Sequence, residues 1–220
     1  DARLVAQSGC GDDEVAAFAR SHPADPSPPV GPIRLLTACR LVHWKGVDIA
    51  IDAVQEVLAS GVEVELTILE NGPERKILEK RVADQGLGEH IRFVGRLPKL
   101  EDVYDLMRAC DALIHPALNE AFGQAVLENL ALGRQVICLD WAGPGMIVTD
   151  QCGIKIEPGS RKDVVTGFSR AIASLPARRK GWQEIEQSAL ERSGEFSWSH
   201  LASAVDQAYR DAAFESKTSQ

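Results

Sequence analysis

Two stretches of the 220-residue chain carry side chains able to do chemistry. The first is Arg40-Leu-Val-His-Trp-Lys45-Gly46, which puts two cations beside a glycine where a helix begins. Backbone amides at a helix start, a close-approach glycine and two fixed cations together suit a phosphate. The plain alternative is two surface basics at a turn. The second stretch runs from His115 to Glu128 and contains Glu120, Phe122, Gly123 and Gln124. Glu120 falls in a loop, whereas Glu128 falls four residues after Gln124, on the same helical face. An ionised carboxylate only accepts hydrogen bonds, so such groups suit paired sugar hydroxyls, and the amides at Gly123 and Gln124 suit a phosphate. The alternative is a solvated and a capping glutamate. Neither carboxylate has a visible reason for a raised pKa, so they do not form an acid/base pair of the glycosidase kind.

Other chemistries lack their residues. No GxGxxG follows a strand, the dipeptide Gly-Lys never occurs, and there is no GxSxG; dinucleotide, P-loop and nucleophile-elbow readings fall away. No CxxC or HExxH is present, so no metal is expected. The five cysteines, Cys10, Cys39, Cys110, Cys138 and Cys152, are odd in number and widely spaced. They read as reduced, packed thiols of a cytoplasmic protein.

These loops need a frame. Strand-length apolar runs occupy Ile33–Cys39, Val62–Leu69, Ile91–Val94, Asp111–His115, Gln135–Leu139 and Gly153–Ile156. Helix-period stretches separate them: 46–60, Pro73–Gln85, Leu100–Cys110 and Gly123–Leu132, with a loop expected at 140–146. Helices then follow at about Arg161–Leu175, Pro176–Ser193 and Ser197–Ala213, with Ser197 as the cap of the last. Strands alternating with helices predict an α/β, Rossmann-like three-layer domain: a six-stranded parallel sheet with helices on both faces. Ligands of such sheets bind beyond the carboxyl ends of the strands, where both stretches lie. Residues 1–30 read as a short N-terminal remnant, helical near Asp12 or Asp13, and a Pro-rich linker; the domain is expected at 31–213 and a tail at 214–220. The start at Asp1 suggests an excised fragment.

With 24 basic and 32 acidic residues the net charge is −8, which argues against a broad face for nucleic acid. No run of ~18 apolar residues spans a membrane, and the first residues do not read as a signal peptide. Hydrophobic residues at 45% supply an ordinary globular core.

The ordered set Arg40-Leu-Val-x-x-Lys45-Gly46, Gly72-Pro73-Glu74-Arg75, Phe93-Val94-Gly95, Glu120-Ala-Phe-Gly123-x4-Glu128-x4-Gly133 and Phe196-Ser-Trp198 resembles the nucleotide-sugar half of the retaining GT-B glycosyltransferases of group 1 (family 4 type). Glu120 and Glu128 match the E-x7-E spacing of that family. The resemblance spans about 31–213. It implies that Arg40 and Lys45 hold the donor diphosphate, that Glu128 accepts from the ribose hydroxyls and that Glu120 contacts the donor sugar. It further implies that Phe122, Gly123 and Gln124 offer backbone amides, and that the backbone of Gly95, Arg96 and Leu97 faces the base. No metal cofactor is implied, and the donor is a nucleoside-diphosphate sugar. The implied partner is an acceptor-binding N-terminal domain of the same enzyme, a frame that leaves room for peripheral membrane contact. The chain departs from the pattern at Ala121 and Glu70, where the family has glycine, and lacks a glutamate near Gly145. The alternative is a degenerate domain of this type acting as a non-catalytic nucleotide-sugar or protein-binding module. A receiver-type module is a poor fit, since Arg40 and Gly95 stand where it would carry acidic residues.

Overall fold

Parallel strands buried on both faces need near-continuous apolar runs, and these runs build one sheet. In the computed structural model, which describes residues 18, 19, 21, 27–200, 202, 203, 205–207, 209 and 210, the strands are β1 (Ile33–Ala38), β2 (Val64–Leu69), β3 (Ile91–Gly95), β4 (Ala112–His115), β5 (Gln135–Leu139) and β6 (Gly153–Ile156). All neighbours pair in parallel, in the order β3-β2-β1-β4-β5-β6. The helices are α1 (Val47–Ala59), α2 (Arg75–Asp84), α3 (Leu100–Ala109), α4 (Gln124–Ala131), α5 (Ala142–Ile147), α6 (Arg161–Arg178) and α7 (Trp182–Gly194). Successive strand side chains point to opposite faces. Leu35 therefore joins the core built with α1, α2 and α6, and Leu36 the core built with α3, α4, α5 and α7. The three-layer, six-stranded parallel architecture is the expected one.

The order of the strands decides where a ligand fits. From β1 the chain winds outward to β2 and β3, then returns to β4 on the other side of β1. The loops leaving β1 and β4 diverge from that reversal, which opens a crevice at their carboxyl ends.

Several local expectations differ from the structure. Residues 142–147, expected as loop, form the short helix α5. Pro176, expected to open a new helix, lies inside α6, which runs on to Arg178. Its ring is exposed while Leu175 is fully buried, so the helix loses one backbone hydrogen bond but keeps its packing face. Ser197 does act as a cap, its hydroxyl accepting from the His200 amide at 3.2 Å. The expected helix near Asp12 or Asp13 lies outside the described residues.

The two departures from the family pattern behave differently. Ala121 has no positive φ, so a side chain there is tolerated without strain. Glu70 sits at φ +75°, a conformation that costs a non-glycine residue ~1–2 kcal/mol. Cys39, Cys110, Cys138 and Cys152 are free and buried. Burial pushes the Cys39 thiol up to about 11 and those of Cys110 and Cys138 to about 12, leaving them unreactive at neutral pH.

Candidate functional site

After β1 the chain passes exposed Arg40 and makes a 3-10 turn at His43–Lys45, closing on Gly46 at φ +64°. Gly46 is needed for more than its dihedral. A Cβ there would lie 2.2 Å from the Pro116 carbonyl oxygen, so only glycine lets the loop after β1 touch the backbone of the loop after β4. Two further bonds join these loops, from the amides of Leu118 and Asn119 to the Trp44 carbonyl at 2.8 and 3.3 Å.

This contact brings Lys45 and Glu120 together across 75 residues of sequence, and the ammonium donates to the carboxylate. His115, the last residue of β4, is only 3% exposed and presents Nε2 3.3 Å from the same carboxylate oxygen. That distance is within hydrogen-bond range, but the angles are poorer than those of a well-aligned bond. The His115 ring and the Lys45 ammonium, against the opposing effect of burial, hold the Glu120 carboxyl down at about 2. Glu120 is therefore ionised throughout the neutral range, able to accept hydrogen bonds and unable to donate a proton.

A carboxyl depressed in the folded state stabilises the fold above its ordinary value of 4.5 and loses that contribution as pH falls toward about 2. For a partly exposed, solvent-screened group we expect ~1–2 kcal/mol from this source. Glu120→Gln should accordingly flatten the acid limb of stability between pH 5 and 2.5, read as urea midpoints at each pH. An unaltered limb would mean that the pairing does not hold Glu120 down.

Two helices begin at this crevice, α1 after Gly46 and α4 after Gly123, and neither has a side-chain cap. Of helices α1 to α7, all within the described residues, only α6 has a side-chain cap, Ser160 accepting from the Asp163 amide; what sets α1 and α4 apart is that both start at the crevice beside the Lys45–Glu120 pair. Uncapped first-turn amides and the positive end of the helix dipole favour an anion. On α4, Gln124 donates to Glu128 at 3.2 Å, so the expected face exists and Glu128 is half-buried on it.

The loop after β3 joins the same rim. The Gly95 carbonyl accepts from the Glu70 amide at 2.9 Å, Arg75 lies 5.8 Å over the Phe93 ring, Arg96 is exposed, and Leu97 packs on the second core. The loop after β2 is tied to the loop after β1 by Leu41 and Asn71 at 3.1 Å and by Glu74 and Leu41 at 3.1 Å. The candidate residues thus form one contiguous rim. Within it Lys45 meets Glu120 and Gln124 meets Glu128, while Gly95, Arg96 and Leu97 stand two strands away.

Residue chemistry alone misses three features. His115, at the end of an apolar strand, reads as core but also faces Glu120. Trp44 and Trp141, which no local pattern marks, are 43% and 57% exposed. Phe122 packs against Phe196, a long-range contact with no local pattern.

The family model described as glycosyl transferases group 1 matches residues 20–187. The GDP-mannose-dependent alpha-(1-6)-phosphatidylinositol dimannoside mannosyltransferase of Mycobacterium tuberculosis is 29% identical over 189 residues, covering 86% of this chain and 46% of that protein. Glycogen synthase of the same organism is 29% identical over 184 residues, covering 83% and 43%. The chain thus spans less than half the length of these curated relatives. Among solved structures, the pneumococcal O-GlcNAc transferase GtfA in complex with UDP and GlcNAc shares the fold at TM-score 0.70 and 20% identity, covering 86% of this chain and 37% of that one. Anabaena HepE in complex with UDP and glucose does so at TM-score 0.65 and 18% identity, covering 90% and 51%. The chain belongs to the glycosyl transferases group 1 family.

Proposed function

We propose that residues 31–213 are the donor-binding domain of a retaining, metal-independent GT-B glycosyltransferase that uses a nucleoside-diphosphate sugar. Residues 1–30 would then be a remnant and linker, residues 214–220 a tail, and the acceptor domain would be a separate N-terminal unit of a cytoplasmic enzyme. The observation that carries this reading is the Lys45–Glu120 pair at the β1/β4 crevice, flanked by two helix starts without side-chain caps. Relatives whose names specify GDP-mannose, and fold neighbours solved with UDP, support a nucleotide-sugar donor.

Without donor, Glu120 is the counter-ion of Lys45. An incoming diphosphate gives Lys45 a second anion and adds Arg40 and the Gly123 and Gln124 amides as donors. Negative charge develops on the diphosphate as the glycosidic bond breaks, and these positive groups, fixed in advance, stabilise it without a metal. Phe122 continues the backbone that faces the sugar. Glu120 stays ionised and keeps His115, so it can accept from a sugar hydroxyl. Glu128, one helical turn beyond Gln124, accepts from the ribose. The backbone of Gly95, Arg96 and Leu97 faces the base. The degenerate-module alternative draws on Glu70 and Ala121. Glu70 carries backbone strain at φ +75° but takes no part in the charge pair, and Ala121 is unstrained.

Calorimetric titration of the chain with UDP, GDP and ADP tests this reading. At least one should bind, and Arg40→Ala and Lys45→Ala should each weaken it by ~1.5–3 kcal/mol, the range for hydrogen bonds to charged groups. Unchanged affinity in both variants would remove the phosphate assignment.

A further inference from the structure

Phe122 lies between two walls. On one side is α5, where a Cβ on Gly143 would come within 2.2 Å of the Phe122 carbonyl oxygen, and where the Gly143 amide donates to the Glu120 carbonyl at 3.4 Å. On the other side Phe196, just beyond α7, meets the Phe122 ring edge-on at 6.1 Å and 66°. One side chain ties the walls together. Arg192 donates from Nε to the Ile147 carbonyl and from Nη2 to the Met146 carbonyl, each at 2.7 Å, at the end of α5. Its guanidinium also lies 4.8 Å over the Phe196 ring. A cation on the last carbonyls of a helix is favoured by their unpaired acceptors and the helix dipole.

We propose that Phe196, braced by Arg192, is a positioning residue: it fixes Phe122 and thereby the backbone from Glu120 to Gln124. This rests on the donor-binding reading above. The loop between β4 and α4 is irregular, and a binding group must be held within ~0.5 Å of its productive place. Neither ring is fully buried. Phe196 packs only on the edge of the second core, so removing it opens one wall of the loop while the sheet and the fully buried residues of both cores keep their contacts.

The test compares Phe196→Ala, Phe196→Tyr and a far-face core control, Ile172→Val, in the full chain. The amides of Val126 and Leu127, which donate to the Gly123 carbonyl, and of Gly143, which donates to Glu120, report the loop by hydrogen exchange without any ligand. Calorimetry with UDP, GDP and ADP reports the site. Phe196→Ala should speed exchange at these three amides and weaken nucleoside-diphosphate affinity about tenfold, the worth of an aromatic pair. Phe196→Tyr should restore both, and Ile172→Val should lower only the melting temperature. Unchanged exchange, or unchanged affinity despite faster exchange, overturns the proposal. Should the wild-type chain bind no nucleoside diphosphate, the donor reading fails, while the exchange data still decide whether Phe196 braces the loop. If Phe196→Ala does not fold, Arg192→Lys serves instead. It keeps the charge but loses the forked bonds to the two carbonyls, and should shift both readouts the same way to a smaller extent; no shift in either counts against the proposal.

Discussion

Replacing Asp111 with alanine should lower the free energy of unfolding by ~3–5 kcal/mol, the usual loss when one partner of a buried ion pair is removed. Asp111 lies between α3 and β4, and its side chain is 1% exposed. It accepts from Arg179 Nε at 2.7 Å, from Arg179 Nη2 at 2.9 Å and from the Arg34 amide at 2.8 Å. Arg179 also donates to the carbonyls of Gly31 and Pro32 at 2.9 and 3.0 Å, fastening the segment before β1 to the start of β4. Truncation leaves a mostly buried guanidinium without its counter-charge and strands a backbone amide. Asp111→Leu combined with Arg179→Met should recover much of the loss, because neither charge is then desolvated. Nucleotide affinity should not follow stability, since this pair sits at the amino ends of the strands, away from the crevice. Urea unfolding of the three proteins checks the ordering, and a loss below ~1 kcal/mol for Asp111→Ala would show that the pair contributes little.

That pair also marks what a sequence can and cannot convey. Asp111 reads only as the polar start of a strand, and its partner lies 68 residues away. The strands were legible because a sheet covered on both faces demands uninterrupted apolar runs, and the helices because each buries one stripe. Lys45 and Glu120 were each legible as candidates from residue type and loop position. Their contact depends on Gly46 meeting Pro116, which is a matter of packing. The helix at 142–147 was hidden by Gly143, Pro144 and Gly145, poor helix formers; three buried residues, Gly143, Pro144 and Ile147, hold it against the second core. Pro176 misled for the opposite reason. Its strong local meaning was overridden by the burial of Leu175 within α6.

These 220 residues alone should bind a nucleoside diphosphate and transfer no sugar. The proposed diphosphate and ribose contacts, Arg40, Lys45, Gly123, Gln124 and Glu128, come from two loops and one helix at one end of a single sheet, so binding needs nothing more. Transfer needs an acceptor held within ~3–3.5 Å of the anomeric carbon, and losing that positioning forfeits ~7–11 kcal/mol of barrier reduction. The loops after β1 and β4 and helix α5 expose large apolar side chains, Trp44, Leu118 and Met146, with Trp141 just before α5. Water reaching the crevice between the loops after β1 and β4 would weaken the charge stabilisation proposed for Lys45 and Arg40. The curated relatives supply more than twice as much chain as this one spans. We expect micromolar-to-millimolar nucleotide affinity, slow donor hydrolysis at most, and no glycosylated product. A donor-consumption assay run beside the calorimetry decides it, because robust turnover to a glycosylated product would make this domain a complete catalyst and would require the acceptor site to lie on the same sheet as the donor site.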